Sequence, residues 1–291
     1  MLQQQQTDND IIRIVVISDT HLLHSKLELP QTGVDILIHC GDFACKGSLS
    51  GVHDFWCWFS AQTQFKDRII VDGNHDQNRI HQGPMNLLLE VAASTTTDGN
   101  ASKNNDVTGL VQFLQDETIV CANGRLRVHG FSWDTCQNDQ FTLDVKATGG
   151  DNQGDDYPVD IFVAHMPACL DRHPGATIDE LPGSHNLAML ALEKRVPLTL
   201  GGHFHWDRGA VGYYWESNNP IDQGHPKIAS WLINAASTHH GDTVYPPIVI
   251  DFNLKTRTVE NIEGLETTIT IKLEESFLDE AQSTTKPKLQ G

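Results

Sequence analysis

Ile11-Ile12-Arg13-Ile14-Val15-Val16-Ile17-Ser18-Asp19-Thr20-His21 begins as an almost unbroken β-branched run and ends on a carboxylate and an imidazole two positions apart. Branching at Cβ restricts χ1 and packs well on a pleated surface, so residues 11–18 read as a strand buried on both faces. Side chains that bind metals begin where that strand would stop. The same succession recurs along the chain. Residues 34–39 lead to Gly41-Asp42, 68–71 to Gly73-Asn74-His75-Asp76, 160–163 to Ala164-His165-Met166-Pro167, and 198–200 to Gly201-Gly202-His203-Phe204-His205. Chance supplies one such cluster; it does not supply five in order, each just past an apolar run.

The stretches between them set the architecture. Val52, Phe55, Trp56 and Phe59 follow the i, i+3, i+4, i+7 rule, so 49–62 is predicted to be an amphipathic helix whose aromatic stripe is core. A short helix is expected over 84–93, with Pro84 in its first turn. Asn123-Gly124 between 118–122 and 125–129 signals a hairpin, and Ser184 is placed to cap a helix running to Lys194. Closing strands are expected at 228–234, 247–252 and 256–262, and polar surface loops at 94–106 and 148–158. Strands alternating with helices, then hairpin-type strands, predict an α/β domain of packed sheets, with ligands gathering outside the carboxyl ends of the strands. The domain is bounded at 10–263, with 1–9 as a disordered N-terminal tail and 264–291 as a polar C-terminal tail.

Composition narrows the partners. The net charge is −18, from 20 basic against 38 acidic residues, which argues against a nucleic-acid polymer bound by counterion release. A small phosphate ester stays admissible, because metal ions at a site outweigh distant surface acids. The start Met1-Leu2-Gln3-Gln4-Gln5-Gln6 lacks the features of a signal peptide, and no window reaches the ~18 apolar residues of a membrane span. The six cysteines show no CxxC pair. Reduced thiols, a cytoplasmic location and no membrane partner are the expectation.

Two Asp, one Asn and four His among these clusters are oxygen and nitrogen donors suited to divalent first-row metals. They are too many for one ion that keeps a position open for water. They fit two ions ~3.5–4 Å apart sharing a carboxylate, an arrangement that clamps the attacking and leaving oxygens of an in-line displacement at phosphorus.

In order and type the clusters resemble the calcineurin-like metallophosphoesterase superfamily, whose pattern is D-x-H, GD, GNH-[DE], H and GH-x-H, over residues 12–262. Ile38-His39-Cys40-Gly41-Asp42-Phe43, Val128-His129-Gly130-Phe131-Ser132-Trp133 and Ile233-Asn234-Ala235-Ala236-Ser237 with Pro246-Pro247-Ile248-Val249 resemble the metallophosphoesterase-domain-containing branch, related to class III cyclic-nucleotide phosphodiesterases. The resemblance implies a four-layer αββα sandwich of two mixed β-sheets flanked by helices, with a dinuclear site on one edge. It implies that Asp19, His21, Asp42 and His205 hold one ion and Asp42, Asn74, His165 and His203 the other, with Asp42 the bridge. The two ions are expected to be Mn, with Fe, Zn, Co, Ni or Mg as alternatives. His75 is implied as the residue that stabilises the transition state or protonates the leaving oxygen, and Asp76 as the group orienting its ring. The activity implied is that of a phosphodiesterase on small phosphate esters, cyclic nucleotides among them, by in-line attack of a hydroxide activated between the ions. A phosphomonoesterase or nucleotide phosphatase with the same site, and a non-catalytic scaffold, are the alternatives.

The chain also departs from family patterns. Lys46 stands where protein Ser/Thr phosphatases carry Arg, and Lys lacks the planar fork of a bidentate phosphate grip. His165-Met166-Pro167-Ala168 departs from H-x-PP, and Trp206-Asp207-Arg208 matches no pattern. Arg208 is expected to be a solvated loop residue and Trp133 a packing residue. His24, three positions after His21, is a candidate for lining the site.

Overall fold

The computed structural model describes residues 10–45, 48–76, 111–143, 159–170, 183–215, 228–239 and 243–273. In β1 (Ile11–Ile17), Ile12, Ile14 and Val16 enter one apolar cluster and Val15 and Ile17 another, so both faces of the strand are buried. β2 (Ile36–His39) repeats the alternation, with Ile36 and Ile38 on one side and Leu37 on the other. Together with β3 (Asp67–Ile70), β4 (Val111–Phe113), β13 (Ile248–Asn253) and β14 (Thr258–Glu263), they form a six-stranded sheet ordered β14-β13-β1-β2-β3-β4. Its β1–β4 half is parallel and its β13–β14 edge antiparallel.

A second, seven-stranded sheet runs β15-β9-β10-β8-β7-β6-β5. Its strands are β5 (Glu117–Cys121), β6 (Leu126–Gly130), β7 (Ile161–Val163), β8 (Leu198–Gly201), β9 (Gly209–Trp215), β10 (Ile228–Asn234) and β15 (Thr268–Leu273). A separate two-stranded ribbon pairs β11 (Thr238–His239) with β12 (Thr243–Val244). Ile161, Val163, Leu198 and Leu200 face the first sheet and share the central cluster with Ile14, Val16 and Ile38. On the outer side of the first sheet lies α1 (Leu49–Ser60), which buries Val52, Phe55 and Phe59 against Val15, Ile17 and Leu37. On the outer side of the second lie α2 (Trp133–Asn138) and α3 (His185–Glu193), packed on Phe162 and Leu232. Helix, sheet, sheet and helices make the expected four layers, because period-2 alternation in each central strand gives both sheet faces something to bury. Among the described residues, no helix is long and apolar enough to cross a membrane.

Several local readings are met by their chemistry. Ser184 Oγ accepts from Leu187 N and starts α3, and Ala122, Asn123 and Gly124 take the left-handed backbone that the β5–β6 turn needs. Others are corrected. Residues 268–273 lie past the boundary expected at 263, yet they form β15, parallel to β9 on the sheet edge. Its alternation of Ile269, Ile271 and Leu273 with Thr268, Thr270 and Lys272 has the strand period, but it stands in a polar stretch that reads as a tail. α2 was not expected; Ser132 caps it over a single polar-rich segment too short for periodicity to show. The expected helix at 84–93, the loops at 94–106 and 148–158, the N-terminal tail and Lys46 lie outside the described residues.

Candidate metal centre

β1, β2 and β3 are mutually parallel, as are β7 and β8, so their carboxyl ends present five loops to one edge of the sandwich. The backbone there is bent into an uncommon conformation. Asp19, His21, Leu22, Asp42 and His203 all have positive φ, between 41° and 69°. Non-glycine residues pay for this conformation, and its concentration at one edge marks a place where side-chain direction outranks backbone comfort. A Cβ on Gly73 would run into Asp42 Oδ1, and one on Gly202 into Ser18 Oγ and Asp19 Oδ2, so each glycine makes room for side chains at the site.

The loops bring six of the seven expected ligands into two groups, Asp19, His21 and His205 in one and Asp42, His165 and His203 in the other, with the seventh, Asn74, beside the second. In the first, His205 Nε2 lies 3.2 Å from Asp19 Oδ1 and 3.3 Å from His21 Nε2. In the second, His165 Nε2 lies 3.3 Å from Asp42 Oδ2, 3.2 Å from His203 Nδ1 and 3.1 Å from Asn74 Oδ1. Asp42 Oδ2 also lies 3.7 Å from His21 Nε2, so this carboxylate stands between the groups.

Electron-rich atoms face one another here, which is the test of whether a cation fits. His165 Nδ1 is 2.8 Å from the Cys40 carbonyl, an acceptor only, so Nδ1 carries the proton and Nε2 points inward. Thr238 Oγ1 donates to the Asp19 carbonyl at 2.8 Å and is left to accept from His205 Nδ1 at 3.2 Å, which turns the His205 Nε2 lone pair inward too. Asp19 Oδ1 is buried and, although His205 is near, accepts no hydrogen bond. Burial opposes charge on His165, but Asp42 and Asp19 overcome it and lift its pKa to about 10. Burial likewise resists ionisation of Asp42, yet the His165 charge and the His75 N–H hold its pKa below the ordinary carboxylate range. His203 goes the other way: burial, then the His165 charge, lowers it to about 4. The His165 proton thus sits in a nest of electron-rich atoms that divalent cations fit, and the donor set of carboxylate, amide and imidazole suits them.

The residues around the ligands revise several expectations. His75 lies beside the first group, its ring 5.0 Å from that of His21. The Asp76 carboxylate is not directed to that ring. It accepts from the backbone N–H groups of Asp42 at 2.7 Å, Gly73 at 2.9 Å and Ala44 at 2.8 Å, tying two ligand loops together. His24 pairs with Asp54 at 3.2 Å and packs on Phe55 and Trp58, so it serves α1 rather than the ligands. Arg208 is not a solvated loop residue either. It donates to the carbonyls of Ala235, Ala236, Pro246 and Gly264, and burial lowers its pKa to about 10. Trp133 packs as expected, but on the ligands themselves, 5.4 Å from the rings of both His165 and His203. Neither the Trp133 contact nor the role of Thr238 leaves any signal in local sequence.

Fold and site together define an αββα sandwich with two adjoining groups of oxygen and nitrogen donors, suited to divalent metal ions, at one edge. The family model described as Calcineurin-like phosphoesterase matches residues 12–207, and the chain belongs to that family. No curated protein matches it in sequence. Among solved structures, the purple acid phosphatase PPD1 from seeds of yellow lupin (Lupinus luteus) is similar at 12% identity and a TM-score of 0.35, over 96% of this chain and 57% of that one. The chain therefore spans little more than half the length of the lupin protein. GAP50, the anchor in the inner membrane complex of Plasmodium, is similar at 11% identity and a TM-score of 0.41, over 95% of both chains. At those scores neither likeness bears on substrate or mechanism.

Proposed function

We propose that the protein is a phosphodiesterase of small phosphate esters, cyclic nucleotides included, working with two Mn ions in the cytoplasm. The reading places it in the metallophosphoesterase-domain-containing branch. The observation that carries it is the Asp42 carboxylate, standing 3.3 Å from His165 Nε2 in one ligand group and 3.7 Å from His21 Nε2 in the other.

Asp19, His21 and His205 with Asp42 would hold one ion, and Asn74, His165 and His203 with Asp42 the second. When bound, the pair supplies Lewis-acid polarisation of the phosphoryl oxygens and a water acidic enough to react near neutral pH. The chain's own groups do the rest. Cys40 O and Thr238 Oγ1 hold the protons of His165 and His205 on the far ring nitrogens, keeping the near ones as lone pairs. His75, tied through its backbone N–H to Asp42 Oδ1 at 2.8 Å, is held at the rim, where it would donate a proton to the departing oxygen. Asp76 acts upstream of both, as the positioning residue that fixes the loops of Asp42 and Asn74 relative to each other.

Elemental analysis of protein purified without added metal or chelator tests this, together with turnover of bis(p-nitrophenyl) phosphate and p-nitrophenyl phosphate with and without Mn. About two ions per chain and faster diester turnover are expected. Faster monoester turnover would replace the reading with a phosphomonoesterase. Protein that binds no metal and cleaves neither ester after Mn addition would be a scaffold.

A further inference from the structure

Most large apolar side chains among the described residues are covered, and Trp206 is the strongest exception, 68% exposed. A single exposed apolar residue needs no explanation in general, but this one sits next to His205, a member of the first ligand group. Its ring lies 5.5 Å from Phe204, whose own ring lies 4.6 Å from that of His203. Two ring contacts thus lead from the second ligand group out to an open indole.

The segment carrying the indole is held firmly. Phe204 N donates to Gly202 O at 2.8 Å and Asp207 N to Phe204 O at 3.1 Å, closing a tight turn around Trp206. Asn234 Nδ2 donates to Phe204 O at 2.8 Å, and Arg208 binds four backbone carbonyls just beyond. A large flat apolar group on a braced turn beside a phosphoester site is arranged as a stacking surface already ordered before the ligand arrives.

We propose that Trp206 is the platform on which a flat aromatic group of the phosphate ester, a nucleobase above all, stacks while its phosphate occupies the ligand groups. The inference rests on the phosphoester reading above and adds the substrate feature that this chain would select. Trp206 is accordingly a specificity-determining residue and takes no part in proton transfer.

The test is calorimetric titration of the full-length, Mn-loaded protein with AMP and with ribose 5-phosphate, which share sugar and phosphate and differ in the base. AMP is expected to bind more tightly to the wild type. Trp206→Ala should cut that preference, taken as the ratio of the two Kd values, about tenfold, and Trp206→Phe should keep most of it. Val120→Ala, at an exposed position on the edge strand β5, is expected to leave the ratio unchanged. A wild type that binds the two equally or binds neither, or a Trp206→Ala ratio equal to that of the wild type, would overturn the proposal. The two readings fail separately. Ester hydrolysis with an unchanged ratio removes only the platform, and base-dependent binding without hydrolysis of any ester removes only the phosphodiesterase.

Discussion

The two ligand groups are made of similar residues in unlike surroundings. Each group has a buried carboxylate, Asp19 in one and Asp42 in the other, and the difference lies in the imidazoles: His165 of the second is 0% exposed and His203 half-buried, whereas His21 and His205 of the first are 19% and 28% exposed. Buried charges are screened little and must be compensated inside the protein, so the second group is bound into the structure of the domain. The first opens toward solvent beside His75 and Trp206, where an ester can approach. Equivalent chemistry thus divides into a deep group that holds and an open group that admits. The difference predicts that the deep group retains its ion longer and that losing its residues costs stability as well as activity.

Asp42→Asn tests the shared element and carries the largest expected effect. Removing the charge common to both groups should lower turnover about 10⁴-fold and reduce bound metal from about two ions per chain to fewer than one, measured by steady-state kinetics and elemental analysis. Near-normal turnover in that variant would dissolve the distinction between the groups. Next come His165→Ala and His21→Ala, compared by urea unfolding in the presence of a chelator. The first strips buried Asp19 and Asp42 of their counter-charge and should destabilise the metal-free protein by about 3–5 kcal/mol, the second by about 1 kcal/mol or less. Equal losses would show that depth makes no difference.

Thr238→Val sharpens the comparison from the open side. It keeps the shape but removes the hydroxyl joining His205 Nδ1 to the Asp19 carbonyl, so affinity for the more weakly held ion should fall about tenfold while the tighter ion is unaffected. Competition with a metal-sensitive dye would resolve the two steps. A further effect concerns pH and leaves the comparison at pH 7 untouched. His39 lies beneath the first group, accepting from Gly41 N at 3.2 Å and contacting Thr20 Oγ1 at 3.0 Å, and burial lowers its pKa to about 3. Its folded pKa lies below the unfolded value, so the unfolded chain takes up a proton that the folded chain refuses. Stability is therefore full above pH ~6.5 and falls by about 1.4 kcal/mol per pH unit as the pH drops toward 3. His39→Gln should remove that part of the slope between pH 6 and 4 in urea titrations of metal-free protein, whatever its effect at pH 7.

The ligands were legible because metal binding demands particular atoms, and those atoms stand out where β-branched runs end. The strands were legible for a related reason. Ile14, Val15, Val16 and Ile17 are all branched at Cβ, which favours a strand, and a strand with two apolar faces buries them together. Legibility faded where a residue's role lies in a backbone contact. Asp76 reads as an acid next to a histidine, and nothing near it in sequence reveals that it caps the N–H groups of Asp42 and Ala44. Arg208 reads as a loop cation, because the carbonyls that bind it come from segments up to 56 positions away. β15 carries the period-2 alternation of a strand, but the polar chain around it reads as a tail, and only its pairing with β9 makes it part of the sheet.

The sequence by itself determined which side chains are available for metal chemistry, which runs become central strands and which family the chain resembles. These are local properties, written in residue type, order and period. Tertiary structure alone decided which ligands face each other, which ring nitrogen of His165 and His205 keeps its lone pair, and that Trp133 lies against the imidazoles while Trp206 stays open. Those outcomes depend on partners such as Asp19 and Thr238, 219 positions apart, and Cys40 and His165, 125 apart. No local pattern encodes such pairs. They arise only when two sheets have packed and the carboxyl ends of their parallel strands are brought to one edge.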